Sequence, residues 1–234
     1  MVILLYHSIA RPSPLSRIHG LYTTPKQFDW QIRWFLRQGF RFTTFERTGP
    51  DQLFQQPENT AILTFDDGST SIYNNGFQIL QRYNIPAVLF PIASLIARQD
   101  VHIVTNTDPA PQSFVTPDQI RELGDAGWEI GSHLLSHRPV TKLTDEELKE
   151  ELQESKSILE AIAGKPVITV AYPYGQYDVR TLQFATRAGY LFGLTTDQQP
   201  LGTHPLLELP RTAMKGSRWH HQYTFLRIFS KYGA

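Results

Sequence analysis

Two adjacent carboxylates, Asp66 and Asp67, followed by Gly68, end an apolar run of Ala61, Ile62, Leu63 and Phe65. The run reads as a buried strand, and the segment after Gly68 reads as a helix. Successive side chains of a strand point to opposite sides, so two carboxylates at its mouth are not both surface decoration. Buried there, they need a metal ion, a cation or a proton beside them. Taken alone, Asp-Asp-Gly reads more readily as a helix-start Asp beside a turn Asp. A second stretch, Gly131-Ser132-His133-Leu134-Leu135-Ser136-His137, changes the reading. On one helical turn the four-residue spacing of His133 and His137 sets both imidazoles on one face, within reach of a single ion. Two satisfied or exposed histidines would show the same spacing. Combined with the acidic pair, however, they make a set suited to hydrolysis: two imidazoles and one carboxylate to hold an ion with an open position for water, and a second carboxylate free as a base.

The elements that must position these groups alternate strand and helix. Val2–Tyr6 reads as a buried strand stopping at His7, and residues 10–22 as a loop. Thr24-Pro25-Lys26-Gln27 has the form of a capping box with proline at the first helical position, and Phe28, Ile32, Phe35 and Leu36 follow at helical spacing up to Gly39. Strands are expected over residues 40–45 and 85–92, with a helix over 72–83 between them. Residues 97–115 form a long polar connection, a length that in a compact domain marks function or mobility. A second capping box, Thr116 to Gln119, opens a helix ending near Gly127, and residues 128–131 form the strand that feeds the histidines. A third, Thr144 to Glu147, opens the longest helix, running to about Ala163, with Leu148, Leu152, Leu159 and Ile162 inward and an acidic, solvated face outward. Then come a strand over 167–171, the turn Tyr172-Pro173-Tyr174-Gly175, a helix over 178–188, a strand through Leu194 and a last candidate strand over 206–209 before Pro210 and Arg211. Seven or eight strands alternating with helices, and no internal linker or repeat, predict one α/β domain over 1–234 with a parallel sheet or barrel. Both reactive stretches lie where a strand hands over to a helix, the rim on which barrels build their sites.

Composition bounds the rest. The 234 residues carry 22 basic and 22 acidic side chains, so the net charge calls for no polyanion and no nucleic acid partner. With no cysteine, any metal falls to His, Asp or Glu. No apolar run approaches a membrane span, and Met1 to Tyr6 lacks the form of a signal peptide. The default compartment is then the cytoplasm, with export or envelope association left open, as is the oligomeric state. Residues 211–234 hold five basic and no acidic side chains among aromatic residues, read as a terminal helix packed by its rings in preference to an adhesive face.

Thr64-Phe65-Asp66-Asp67-Gly68, Ser132 to His137 and Tyr172-Pro173-Tyr174-Gly175 resemble, in that order, the first three motifs of the polysaccharide deacetylases (carbohydrate esterase family 4, the NodB-homology domain). The resemblance spans roughly residues 60–212. It implies a distorted (β/α) barrel of about seven parallel strands and a metal-dependent deacetylase acting on N-acetylglucosamine units of a glycan. Carried over by position, Asp66 is the base, Asp67, His133 and His137 bind one divalent ion (zinc first, with cobalt, nickel or manganese as alternatives), and the Tyr174 amide helps hold the oxyanion. Two departures stand out. Ala171 lies where the family has an arginine that orients the base, and the family's late Leu-x-His motif is missing from the last third of the chain. Leu5-Tyr6-His7 has that motif's form at the other end, an order similar to that of the poly-β-1,6-N-acetylglucosamine deacetylases. In a barrel the first and last strands can be neighbours, which makes His7 the expected acid, with His204 its competitor, and Arg211 the candidate for the missing arginine. His102 could touch substrate, and His19, His220 and His221 are assigned to the surface. Two other readings keep the fold: hydrolysis of a small non-polymeric amide, and a non-catalytic carbohydrate-binding relative.

Overall fold

The computed structural model of the chain describes residues 1–98 and 113–214 together with Phe225 and Phe229. The strands are β1 (Val2–Tyr6), β2 (Arg41–Thr43), β3 (Thr60–Asp67), β4 (Val88–Pro91), β5 (Glu129–Ile130), β6 (Thr169–Ala171), β7 (Phe192–Leu194) and β8 (Thr212–Ala213), and every pairing among them is parallel. The helices are α1 (Pro25–Arg37), α2 (Phe45–Thr48), α3 (Gln78–Gln81), α4 (Ala93–Arg98), α5 (Pro117–Asp125), α6 (Asp145–Ala163) and α7 (Val179–Arg187). The three expected capping boxes are present at Thr24, Thr116 and Thr144, each hydroxyl accepting the amide three residues on.

The central sheet runs β5-β4-β3-β1-β8, with β2 on the first half of β3. Single bridges continue the ring of strands: Ser132 to Val170 joins the end of β5 to β6, and Leu194 to Leu209 joins β7 to the segment before β8. Parallel strands covered by helices match the expected distorted (β/α) barrel, with β1 beside β8. Alternation sorts the side chains into two cores. Leu4, Tyr6, Leu63, Phe65 and Val170 point outward, under Phe28, Ile32 and Leu148 of the helices. Ile3, Ile62, Val88, Phe90, Phe192 and Leu194 point inward and fill the interior. Phe65 stacks between Tyr6 and Trp128, at 5.5 and 5.4 Å between centroids. Burying rings of this size contributes about 1.5–3 kcal/mol each. Because Tyr6 and Phe65 are partners facing outward, the residues after them, His7 and Asp66, fall on the inner face at the same rim.

Four expectations need correction. Among the described residues the last strand is β8, after Arg211, because residues 206–208 turn and bend and only Leu209 makes a bridge. The predicted helix over 72–83 starts as a π-helical turn, Ile72–Phe77, before α3. His133 to His137 is not helical at all. His19 is half-buried in a 3-10 turn (His19–Leu21) within the expected loop. Most of the long connection, His102 included, lies outside the described residues, as do His220 and His221. The terminal segment is represented by Phe225 and Phe229, which pack on Trp34 and Phe35 as ring packing of that segment requires.

Glu129 on β5 is one of three acids buried among the described residues. Glu129 accepts the Glu46 amide at 2.8 Å, while its Oε1 has no hydrogen-bond partner among the described residues. Burial pushes this carboxyl up to about 7, against the opposing pull of that amide. Below the ordinary glutamate range both folded and unfolded chains hold the proton. From there up to about pH 7 only the folded chain keeps it, so stability contributed at this position falls as pH rises through that window. Glu129→Gln is expected to raise the thermal midpoint at pH 8 and to change it far less at pH 4.5, as read by melting curves at both pH values.

Candidate metal and catalytic site

The site is built at the carboxyl ends of the strands. At the end of β3 the Gly68 amide bonds back to the Asp66 carbonyl at 2.9 Å, and Asp67 between them has φ of 70°. This is the geometry of the strained γ-turn. It interrupts strand alternation, so that both carboxylates face the same site. A side chain at position 68 would strike Pro91, whose Cβ lies 2.9 Å from where its own would stand, and the φ of 80° there also demands glycine.

Asp66 is 2% exposed and Arg211 1%. The guanidinium grips the carboxylate with two bonds, Nη1 to Oδ1 at 2.7 Å and Nη2 to Oδ2 at 2.8 Å. Its other donors go to the Thr195 carbonyl at 2.9 Å and the Thr64 hydroxyl at 3.2 Å, which in turn donates to the Leu4 carbonyl. Burial pushes the Asp66 carboxyl up, but Arg211 and then His133 outweigh it and hold the group below the ordinary aspartate value.

Asp67 Oδ1 lies 3.4 Å from His133 Nε2 and 3.6 Å from His137 Nε2, and one ligand atom from each of the three residues falls within 4.8 Å of the others. His133 Nδ1 meets the Ala171 carbonyl at 2.7 Å. That bond takes the Nδ1 proton and turns the Nε2 edge toward Asp67. Burial disfavours the His133 cation, yet Asp66 and Asp67 prevail and raise its pKa above the ordinary imidazole value. Burial and the neighbouring His133 push His137 down to about 4. The donor set, two ring nitrogens and a carboxylate, fits a divalent ion of the zinc type.

Tertiary contacts shape the loop that carries the histidines, with no help from helix propensity. Leu134 and His137 have φ of 63° and 60°. Glu151 on α6, 4% exposed, accepts the amides of Leu135 at 2.9 Å and Ser136 at 3.0 Å, and also the Ser136 hydroxyl. The Leu134 and Leu135 carbonyls accept the amides of Ala93 and Ser94 at the start of α4, each at 3.0 Å. Sequence reasoning assigns Glu151 to the solvated acidic face and misses it. Its signal is spacing, since Glu151 falls between Leu148 and Leu152 and one turn from Ser155, all of them buried. Tyr174, with φ of 59°, sits in a turn closed by the amides of Gly175 and Gln176, and its half-exposed ring lies 4.8 Å from that of His137. His7 follows β1 on the inner face beside Asp66, whereas His204 lies in the turn region before Leu209.

The polysaccharide deacetylase family model matches residues 55–193, more than half of the chain. The chain belongs to this family. It is 27% identical over 197 residues to YxkH of Bacillus subtilis (strain 168), a match covering 83% of this chain and 64% of that protein. The chain thus spans less than two thirds of that relative's length. It is 24% identical over 218 residues to the poly-beta-1,6-N-acetyl-D-glucosamine N-deacetylase of Staphylococcus aureus (strain MSSA476), covering 83% and 71% of the two. Among solved structures it resembles the Streptococcus pyogenes deacetylase PplD in complex with acetate, with a TM-score of 0.80, 26% identity and 92% of each chain covered. Among the described residues no helix is long and apolar enough to cross a membrane.

Removing one partner of a buried ion pair leaves an uncompensated charge. Arg211→Met is therefore expected to destabilise the protein by about 3–5 kcal/mol, and adding Asp66→Asn to recover part of that loss, as measured by urea unfolding of the three variants. Glu151→Leu removes the acceptor that orders the loop before His137. Metal titration should show affinity about 10–100-fold weaker, in line with other outer-shell partners of metal ligands.

Proposed function

We propose that the chain is a metal-dependent N-deacetylase that hydrolyses the acetamide of N-acetylglucosamine units in a polysaccharide or oligosaccharide, releasing acetate. The observation that carries this reading is the meeting of a three-residue metal-type cluster and an arginine-held carboxylate at one rim. The name of the Staphylococcus aureus relative and the acetate in the Streptococcus pyogenes structure support the substrate class.

Asp67, His133 and His137 would hold the ion. When bound, a divalent ion there supplies Lewis-acid polarisation of the acetamide carbonyl and lowers the pKa of water. Asp66, kept ionised and fixed in direction by Arg211, takes the proton of the attacking water. The Tyr174 amide, not used by its own turn, donates to the oxygen on which negative charge develops. His7, just past the end of the strand beside β3, gives a proton to the departing amine, so that amide and water become acetate and a free amino sugar. The non-catalytic alternative draws on Ala171 in place of the family's arginine. The buried Arg211–Asp66 pair weighs against it, because a sugar-binding surface has no use for two desolvated charges in the barrel interior.

Acetate release from β-1,6-linked N-acetylglucosamine oligomers and from chito-oligosaccharides tests the reading. The native protein is expected to release acetate, to stop on chelation and to resume with a divalent ion. Asp66→Asn should lower kcat at least about 100-fold with metal content unchanged, and His133→Ala should lose metal and turnover together. Full activity in Asp66→Asn would sink the assignment of the base.

A further inference from the structure

Just beyond His7 the chain leaves the sheet, and each of its next two residues is tied down. The Ser8 amide donates to the Leu21 carbonyl at 3.0 Å and the Ser8 carbonyl accepts the Thr23 amide at 2.9 Å. Ile9 is held by side chains: its amide donates to Ser71 Oγ at 3.1 Å, and its carbonyl accepts Asn75 Nδ2 at 2.8 Å. Ser71 Oγ is itself fixed by Ser69 Oγ at 3.0 Å. The Ile9 side chain is fully buried against Gly76, where an added Cβ would stand 3.3 Å from Ile9 Cγ1.

Ser69, Ser71, Asn75 and Gly76 all belong to the segment that leaves Asp66-Asp67-Gly68. Asn75 and Gly76 lie in the π-helical turn Ile72–Phe77, a form rare enough to suggest that its surroundings require it. Irregular backbone away from water must find partners for its peptide groups, and here both partners of Ile9 come from this one segment.

We infer that Asn75 and Ser71 are positioning residues for His7, gripping Ile9 so that the acid just past the first strand is set by the segment that carries the acidic pair. The inference rests on the proposed role of His7. In the step concerned the carbon–nitrogen bond of the tetrahedral adduct breaks, its electron pair goes to nitrogen, and nitrogen takes the proton of His7. Loosening Ile9 displaces the donor without touching the base or the ion. A misplacement of about 1 Å is enough to cost on the order of 100-fold in rate.

The test is a double-variant cycle on acetate release from an N-acetylglucosamine oligomer, using metal-loaded protein. Asn75→Ala is expected to lower kcat about 10-fold or more, with KM and metal content unchanged. Added to His7→Ala it should cost less than about twofold, because the group it positions is already gone. Ser71→Ala should show the same pattern and serves as the readout if Asn75→Ala unfolds, while Ser71→Thr, which keeps the acceptor oxygen, should retain activity. An Asn75→Ala loss that persists undiminished in the His7→Ala background would overturn the inference. So would an unchanged kcat in Asn75→Ala alongside a crippled His7→Ala, and that result would leave the proposed function intact. Full activity in His7→Ala would instead remove the acid assignment itself.

Discussion

Two opposite charges taken out of water attract strongly, yet each must first give up a hydration shell worth several kcal/mol even after the protein relaxes. The Arg211–Asp66 pair offsets this cost through dense bonding: two parallel contacts between fork and carboxylate, with Thr64 and the Thr195 carbonyl satisfying further guanidinium donors. Such an arrangement works only if β3, β1 and the segment after β7 converge, because Thr64 lies on β3, the carbonyl that fixes its hydroxyl on β1, and Thr195 just past β7. The neighbouring cluster of Asp67, His133 and His137 then sits one residue further along β3, on a foundation whose charge is already compensated.

Backbone strain is concentrated at the same rim. Of the five non-glycine residues with positive φ among the described residues, Asp67, Leu134, His137 and Tyr174 belong to the site, and only Asn84 does not. Each such conformation costs on the order of 1–3 kcal/mol and persists because neighbours over-determine it. Glu151, the start of α4 and the short Gly68 turn supply those constraints. The interruptions of the sheet fall nearby as well: single bridges at Ser132 and Leu194 replace continuous ladders where the chain must turn toward the site.

Much of this was legible from residue types. Strand and helix alternation predicted the fold, three capping boxes marked the first residues of their helices, and the motifs with His133, His137 and the acidic pair predicted which side chains would meet. Arg211 could be picked out because Ala171 left a charge unaccounted for. What sequence did not reveal was set by contacts distant along the chain. The four-residue histidine spacing suggested a helix, but Glu151 and the open amides of α4 offered that loop better partners than its own backbone. Glu151 was hidden among solvated acids because one buried carboxylate on an acidic helix hardly alters the pattern. Residues 206–209 are apolar enough for a strand, yet β8 forms three residues later because its partner, β1, and the reach of Arg211 fix the register.

The separation of 145 positions from Asp66 to Arg211 also bears on how the molecule is made. During synthesis the carboxylate emerges well before its counter-ion, at about 5–20 residues per second. Until the final strand docks beside the first, sealing the interior would strand an uncompensated negative charge there. Early intermediates must therefore keep that end hydrated or protonated, and the last strand to arrive becomes the step that lets the interior dry.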